Sequence, residues 1–140
     1  MWISSKTRYG LKAIYEIARN DSDKPISLNI IAEKHNISLS YLEQIMALLK
    51  KENLIKSTRG SQGGYTLADN PKNISIGQII LALEGSYSPT SCVNEKAVCD
   101  NANSCITRPI FTRINDSISN IVDNMTLQDL MEENKGDSLL

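Results

Sequence analysis

The feature that most constrains this chain is a four-residue joint, His35-Asn36-Ile37-Ser38, set between two short amphipathic stretches and followed by a glycine-rich hairpin pattern. Ser27 is placed to cap a helix over about Leu28–His35, and Asn36 tolerates the left-handed backbone that ends helices. Ser38 is placed to cap the next helix, which runs to about Asn53 with an apolar stripe of Leu42, Ile45, Met46 and Leu49. Two short helices joined this tightly have helix-turn-helix proportions. Leu54–Thr58 then reads as a strand, Arg59-Gly60-Ser61-Gln62-Gly63-Gly64 as a turn, and Tyr65-Thr66-Leu67 as the returning strand. A hairpin directly after a helix-turn-helix is a wing. Ser40, Tyr41, Glu43 and Gln44 occupy the early positions from which a recognition helix reaches base edges. Arg59 at the hairpin tip suits a narrow minor groove, and Gly60 lets the backbone approach a phosphate.

Charge supports a nucleic-acid role only after the chain is divided. The net charge is −1, but residues 1–68 carry ten Lys and Arg against six Asp and Glu, a net of +4. Residues 69–140 carry five against ten, a net of −5. The basic half is the half with the helix-turn-helix pattern, as a DNA-binding element requires. No apolar run approaches the roughly 20 residues of a membrane span, and the N-terminus lacks a secretory signal, so a cytoplasmic protein is expected. No P-loop and no nucleophile–base pair is evident, which argues against an enzyme.

The flanking segments complete the organisation. A first helix is expected over about Thr7–Asn20, with Leu11, Ile14, Tyr15 and Ala18 at helical spacing. Ser75 is placed to cap a helix over Ile76–Glu84. A loop of about residues 85–108 follows, long enough to suggest a function of its own. Pro109 suits the first turn of a long helix to about Asn124, striped by Ile110, Ile114, Ile118, Ile121, Val122 and Met125. Such a helix, reached through a loop, has less of its own domain to pack on, which favours dimerisation. Thr126 starts a short helix ending near Glu133. The expected fold is mainly α with a small β wing. A winged helix-turn-helix domain spans 1–84, a cysteine-containing loop 85–108, the dimerisation helix and short C-terminal helix 109–134, and a tail 135–140.

The loop holds all three cysteines, as Cys92-x6-Cys99-x5-Cys105. An odd count within fourteen residues argues against a disulfide framework and toward metal or redox chemistry. The spacing is not the C-x2-C of common zinc knuckles, yet thiolates bind both zinc and iron–sulfur clusters, so both readings stand here. The single histidine, His35, lies in the turn and is read as a helix-end residue without a metal role.

Three segments together resemble the Rrf-type family of bacterial winged helix-turn-helix transcription regulators. They are Ser5-Lys6-Thr7-Arg8-Tyr9-Gly10, then Ile37–Gln44 with the wing Arg59-Gly60 and Gly63-Gly64-Tyr65, and the three-cysteine loop with its long helix. The resemblance implies a homodimer on a double-stranded DNA operator, with contacts from Ser38, Ser40, Tyr41, Glu43, Gln44, Arg59 and Gly60. It implies an iron–sulfur cluster on Cys92, Cys99 and Cys105, with 2Fe–2S the expected type and cluster-assembly proteins as donors. The wing and Cys105-Ile106-Thr107 look most like the branch that represses cluster-biogenesis genes. Nitric oxide or redox sensing, or control of cysteine metabolism, are the alternatives within the fold. That branch has a histidine three residues after the third cysteine, where this chain has Arg108. Nitric-oxide-sensing members use a carboxylate near the N-terminus, at the position of Arg8. A guanidinium stays protonated and offers no lone pair, so no fourth ligand is assigned.

Overall fold

The computed structural model describes residues 3–20, 23–90, 93 and 103–135. Among them the chain runs α1 (Ser5–Arg19), α2 (Leu28–His35), α3 (Leu39–Lys51), β1 (Ile55–Thr58), β2 (Gly64–Leu67), α4 (Ile76–Glu84), α5 (Arg108–Asn124) and α6 (Leu127–Glu133). A 3-10 turn over Pro71–Asn73 precedes α4.

Side-chain caps set the helix ends. Ser27 accepts from the Asn29 amide at 3.3 Å, and Ser38 from the Tyr41 amide at 3.3 Å. Ser75 and Gln78 form a reciprocal capping box on α4, as Thr126 and Asp129 do on α6. Asn36 takes the left-handed conformation, φ 52°, that turns the chain from α2 into α3. The first helix starts earlier than Thr7, because Ser4 caps it and accepts from the Thr7 amide. Its buried face is also rotated from the expected stripe. Gly10, Ala13, Ile14 and Ile17 face inward, while Leu11, Tyr15 and Ala18 are only half-buried. Small residues at 10 and 13 let α1 approach its neighbours closely, which an apolar count overlooks. A carbon added at Gly10 would overlap Leu83 of α4 and lie 3.3 Å from Ile45 of α3.

The core joins α1, α2, α3, β1 and α4 through Ile14, Ile31, Leu42, Ile45, Leu49, Ile55 and Ile79, each at most 2% exposed. The expected α3 stripe is buried as a unit. β1 and β2 pair antiparallel, with Ile55 opposite Leu67 and Thr58 opposite Gly64. Ile26 adds a bridge to the wing, exchanging amide hydrogen bonds with Tyr65 at 3.0 and 2.9 Å. The bridge passes so close to Gly64 that a side chain there would overlap the Ile26 carbonyl.

The C-terminal end returns to this core. A bridge pairs Ser75 with Thr126, and Leu127, fully buried, donates its amide to the Ile74 carbonyl at 2.8 Å. α6 then packs on α1. Near the other end of α4, the Glu84 carboxylate accepts from the Ser4 amide at 3.0 Å, from the Ser4 hydroxyl and from the Thr7 hydroxyl at 2.6 Å. Desolvation is the largest single influence on Glu84 and pushes its pKa up. The hydrogen bonds from Ser4 and Thr7, with the charge of Lys6, together outweigh it and hold the carboxyl below its ordinary value.

Candidate nucleic-acid interface, dimer face and cysteine site

The recognition surface follows from how α3 lies in the core. Burial of Leu42, Ile45, Met46 and Leu49 leaves Ser40, Glu43 and Gln44 exposed on the opposite side. Ser38 is exposed at the N-cap. Tyr41 is half-buried and meets Tyr9 of α1 edge to face, centroids 6.1 Å apart, so its ring is held against the first helix. Lys50 reaches from the end of α3 to the Ser57 hydroxyl at 2.6 Å and fastens β1 to the helix. At the wing tip Arg59 and Gly60 are exposed, and Gly60 has φ 110°, which only glycine adopts readily. The Gly60 carbonyl accepts from the Gly63 amide at 3.0 Å, which closes the turn next to Arg59. Four recognition-helix residues and the wing arginine are thus brought onto exposed surface of adjoining elements.

The interior of the motif contains a pairing that sequence reading missed. Glu16 of α1 is an acidic residue only 5% exposed. Its Oε1 lies 2.9 Å from Lys34 Nζ and 3.1 Å from His35 Nε2. The histidine read as a helix-end residue therefore ties the end of α2 to α1. An acidic residue between Ala13 and Ile17 on a buried face was the available signal.

The long-helix stripe divides. Val122 and Met125 pack against the domain core. Ile110, Ile114 and Ile121 are 58%, 41% and 65% exposed, and none of the α5 residues is buried. Gly77 of α4 allows the two helices to approach, since a carbon there would overlap the Asp123 carboxylate. Tyr87 donates to that carboxylate at 3.0 Å, and Ser88 bonds Asn115 at 2.6 Å, so the start of the loop is laid along α5.

Of the three cysteines, Cys92 and Cys99 lie outside the described residues. Cys105 sits just ahead of α5. Its Sγ is 3.2 Å from the Thr107 hydroxyl. That contact chiefly lowers the thiol pKa, and the amides of Thr107 and Arg108 and the Arg108 charge add to it, against a smaller effect of burial. A thiol whose pKa is lowered just ahead of a helix N-terminus suits ligation of a soft metal centre. Arg108 lines a cavity of about 350 Å3 with Cys105 and Arg113, and its Nε is buried without a hydrogen-bond partner among the described residues.

The comparisons with known proteins agree with this architecture. The profile of the Rrf2 family, described as iron-dependent transcriptional regulators, matches residues 3–133. The HTH-type transcriptional regulator IscR of Photobacterium profundum is 37% identical over 134 residues, 96% of this chain and 77% of the relative. IscR of Yersinia pseudotuberculosis is 36% identical over 131 residues, covering 94% and 79%. Among solved structures, CymR, the global cysteine regulator of B. subtilis, superposes with a TM-score of 0.79 at 38% identity, over 95% of this chain and 98% of that one. T. potens IscR gives 0.79 at 34% identity, over 100% and 93%. No helix among the described residues is long and apolar enough to cross a membrane. A wing beside an exposed recognition helix, and a match over almost the whole chain to DNA-binding regulators without catalytic activity, give one conclusion: the chain belongs to the Rrf2 family of winged helix-turn-helix transcription regulators.

Proposed function

We propose that the chain is a homodimeric, cytoplasmic DNA-binding regulator that reads iron–sulfur cluster status and represses cluster-biogenesis genes. The observation that carries this reading is the position of Cys105. It is the last thiol of the three-cysteine pattern, with a lowered pKa, and three residues after it begins the helix whose outward isoleucines would form the dimer. A cluster held there by Cys92, Cys99 and Cys105, 2Fe–2S by resemblance, would supply a labile centre whose occupancy reports cluster supply. Cluster-assembly proteins would be its donors. Arg108 is a poor ligand and the fourth position is unassigned; beside Cys105 its charge would compensate thiolate. Any change in the Cys105 segment is passed directly to α5 and thence to the spacing of two recognition helices. Ser38, Ser40, Tyr41, Glu43, Gln44, Arg59 and Gly60 would contact the operator.

The test is anaerobic purification followed by an optical spectrum and iron and sulfide analysis. Visible charge-transfer bands with iron and sulfide in equal amounts are expected. The variant carrying Cys92→Ala, Cys99→Ala and Cys105→Ala should lose them, stay folded, and differ from the loaded wild type on native promoter fragments. A colourless protein with stoichiometric zinc would overturn the reading. A second reading, control of cysteine metabolism, is favoured by the likeness to B. subtilis CymR, which is no smaller than that to T. potens IscR. Iron- and sulfide-free protein whose DNA affinity is indifferent to the cysteines would favour it.

A further inference from the structure

A pocket of about 400 Å3 opens between α1, the end of α2 and α6, and it shares no residue with the recognition surface or the cysteine site. That volume is at the low end of small-molecule sites, which run from about 300 to 1,000 Å3. Leu11, Tyr15 and Leu130 form its apolar wall, and Lys12 and Lys34 also line it, each with a flexible stem that can turn its ammonium toward a bound anion. Buried Glu16 also lines it, but both carboxylate oxygens are already engaged: Oε1 by Lys34 and His35, and Oε2 by Lys34 at 3.0 Å. Lys34 remains 31% exposed at its side chain, with donors to spare. Lys12 has no carboxylate within 4 Å among the described residues. Its ammonium lies 5.6 Å from the centre of the Tyr9 ring.

The lining thus has an apolar body and one uncompensated positive charge. A cationic ligand would face two lysines with no free acid to receive it. A sugar-like ligand would leave hydroxyls against leucines without partners. An apolar molecule with one anionic head satisfies both parts. We propose that this pocket binds a small amphipathic carboxylate, an aliphatic or aryl-alkyl acid, with its chain on Leu11, Tyr15 and Leu130 and its head on Lys12 and Lys34. The site is coupled to the DNA surface by a short path. The Tyr9 ring that carries Lys12 also packs edge-on against Tyr41 in the first turn of α3. Lys34 belongs to the last turn of α2, just before the turn into α3. A carboxylate that draws Lys12 from Tyr9 and holds Lys34 biases the stance of the recognition helix. Coupling at the weak end of the usual range changes DNA affinity about fivefold at saturation.

The test uses the full chain, with octanoate as probe and octylamine and octanol as charge controls. Calorimetry and amide chemical shifts should show saturable octanoate binding, one per chain, with Kd at or below about 1 mM and shifts at Leu11, Tyr15 and Leu130. Octylamine and octanol should bind at least about tenfold more weakly, since they lack the charge that the lysines complement. Lys34→Gln strands Glu16 and can unfold the protein, so the deciding variant is Lys12→Gln at an exposed position. It should weaken octanoate about fivefold with an unchanged melting temperature. The triple cysteine variant should bind octanoate as well as wild type, which separates this site from the cluster reading. Absence of saturable binding at about 10 mM, equal binding of octylamine, or shifts confined to the α5 isoleucines would overturn the proposal. So would loss of dimer in Lys12→Gln, which would mark the pocket as a seat for a second copy.

Discussion

Ile110→Asp combined with Ile121→Asp should dissociate the proposed dimer and leave the protomer folded. The two side chains are 58% and 65% exposed on α5, so most of their apolar surface is still available for a partner. Full burial of an isoleucine is worth about 1.5–3 kcal/mol, which leaves roughly 1–2 kcal/mol for each to gain at an interface. A two-fold dimer presents each position twice, so four side chains are removed. The lost burial is then about 4–8 kcal/mol, a weakening of roughly 10³- to 10⁶-fold, before the cost of desolvating the new carboxylates. The protomer should barely register the change. Exposed substitutions usually cost within about 0.5 kcal/mol, and a carboxylate is favoured near the start of a helix and disfavoured near its end by similar small amounts. Ile118 is avoided because it is half-buried and would confuse the two effects. Leu127→Ala, at a fully buried site, is the contrasting control: it should cost about 2–5 kcal/mol of stability. Sedimentation at low micromolar protein, beside thermal melts by circular dichroism, reads both quantities. A double variant that remains dimeric, or that melts as early as Leu127→Ala, refutes the assignment of this face.

Gly10→Ala should destabilise the protein despite the helix propensity it gains: overlap with Leu83 and Ile45 costs about 1–3 kcal/mol against about 1 kcal/mol gained, and a raised melting temperature would show that α1 has room to move. Glu84→Gln should cost about 1–2 kcal/mol at neutral pH, since hydrogen bonds to a charged acceptor are replaced by neutral ones. The folded-state pKa of Glu84 is depressed, so its contribution is complete above the unfolded glutamate value of 4.5 and is lost as pH falls through the lower folded value; the stability gap between wild type and variant should close over that window in urea titrations, and a constant gap would assign the loss to shape rather than charge. Arg59→Ala should weaken operator binding and flatten its salt slope by about one unit, an effect excluded by superimposable salt titrations. Gln44→Ala should cost about 1–3 kcal/mol of discrimination on the operator and nothing on random duplex, whereas equal losses on both would take Gln44 off the bases.

Much of the fold was legible because its signals are local. Ser27, Ser38 and Ser75 each cap a helix from their own position in the chain, and Asn36 takes its left-handed turn for reasons internal to its neighbourhood. The expected recognition-helix surface follows from one stripe of 3.6-residue period, and Ser40, Glu43 and Gln44 are exposed once that stripe is buried. What escaped reading depends on distant partners. The Ile26 bridge needs Tyr65, and the burial of Leu127 needs the edge at Ile74. The acid at Glu84 acts on Ser4 and Thr7, about eighty residues earlier. No window on the sequence contains both members of such pairs. The rotation of α1 was missed for a different reason: Gly10 and Ala13 face inward because they are small, and apolar counting gives small residues little weight.

The split of the α5 stripe shows why pattern alone could not choose between self-packing and dimerisation. Both uses are present on one helix, at different angles around it. Val122 and Met125 anchor its C-terminal half to the core, and the bridge from Ser75 to Thr126 fixes the chain just beyond. Its N-terminal half carries Ile110 and Ile114 outward and begins beside Cys105. The start of α5 adjoins the proposed cluster site, and Ser88 meets that half of the helix at Asn115. Small changes around Cys105 would therefore act at the start of α5. The partner protomer would feel them through Ile110 and Ile114. In this arrangement core burial would set the resting place of α5, and the proposed cluster its bias. Cluster occupancy could then alter DNA affinity without disturbing the winged domain that reads the operator.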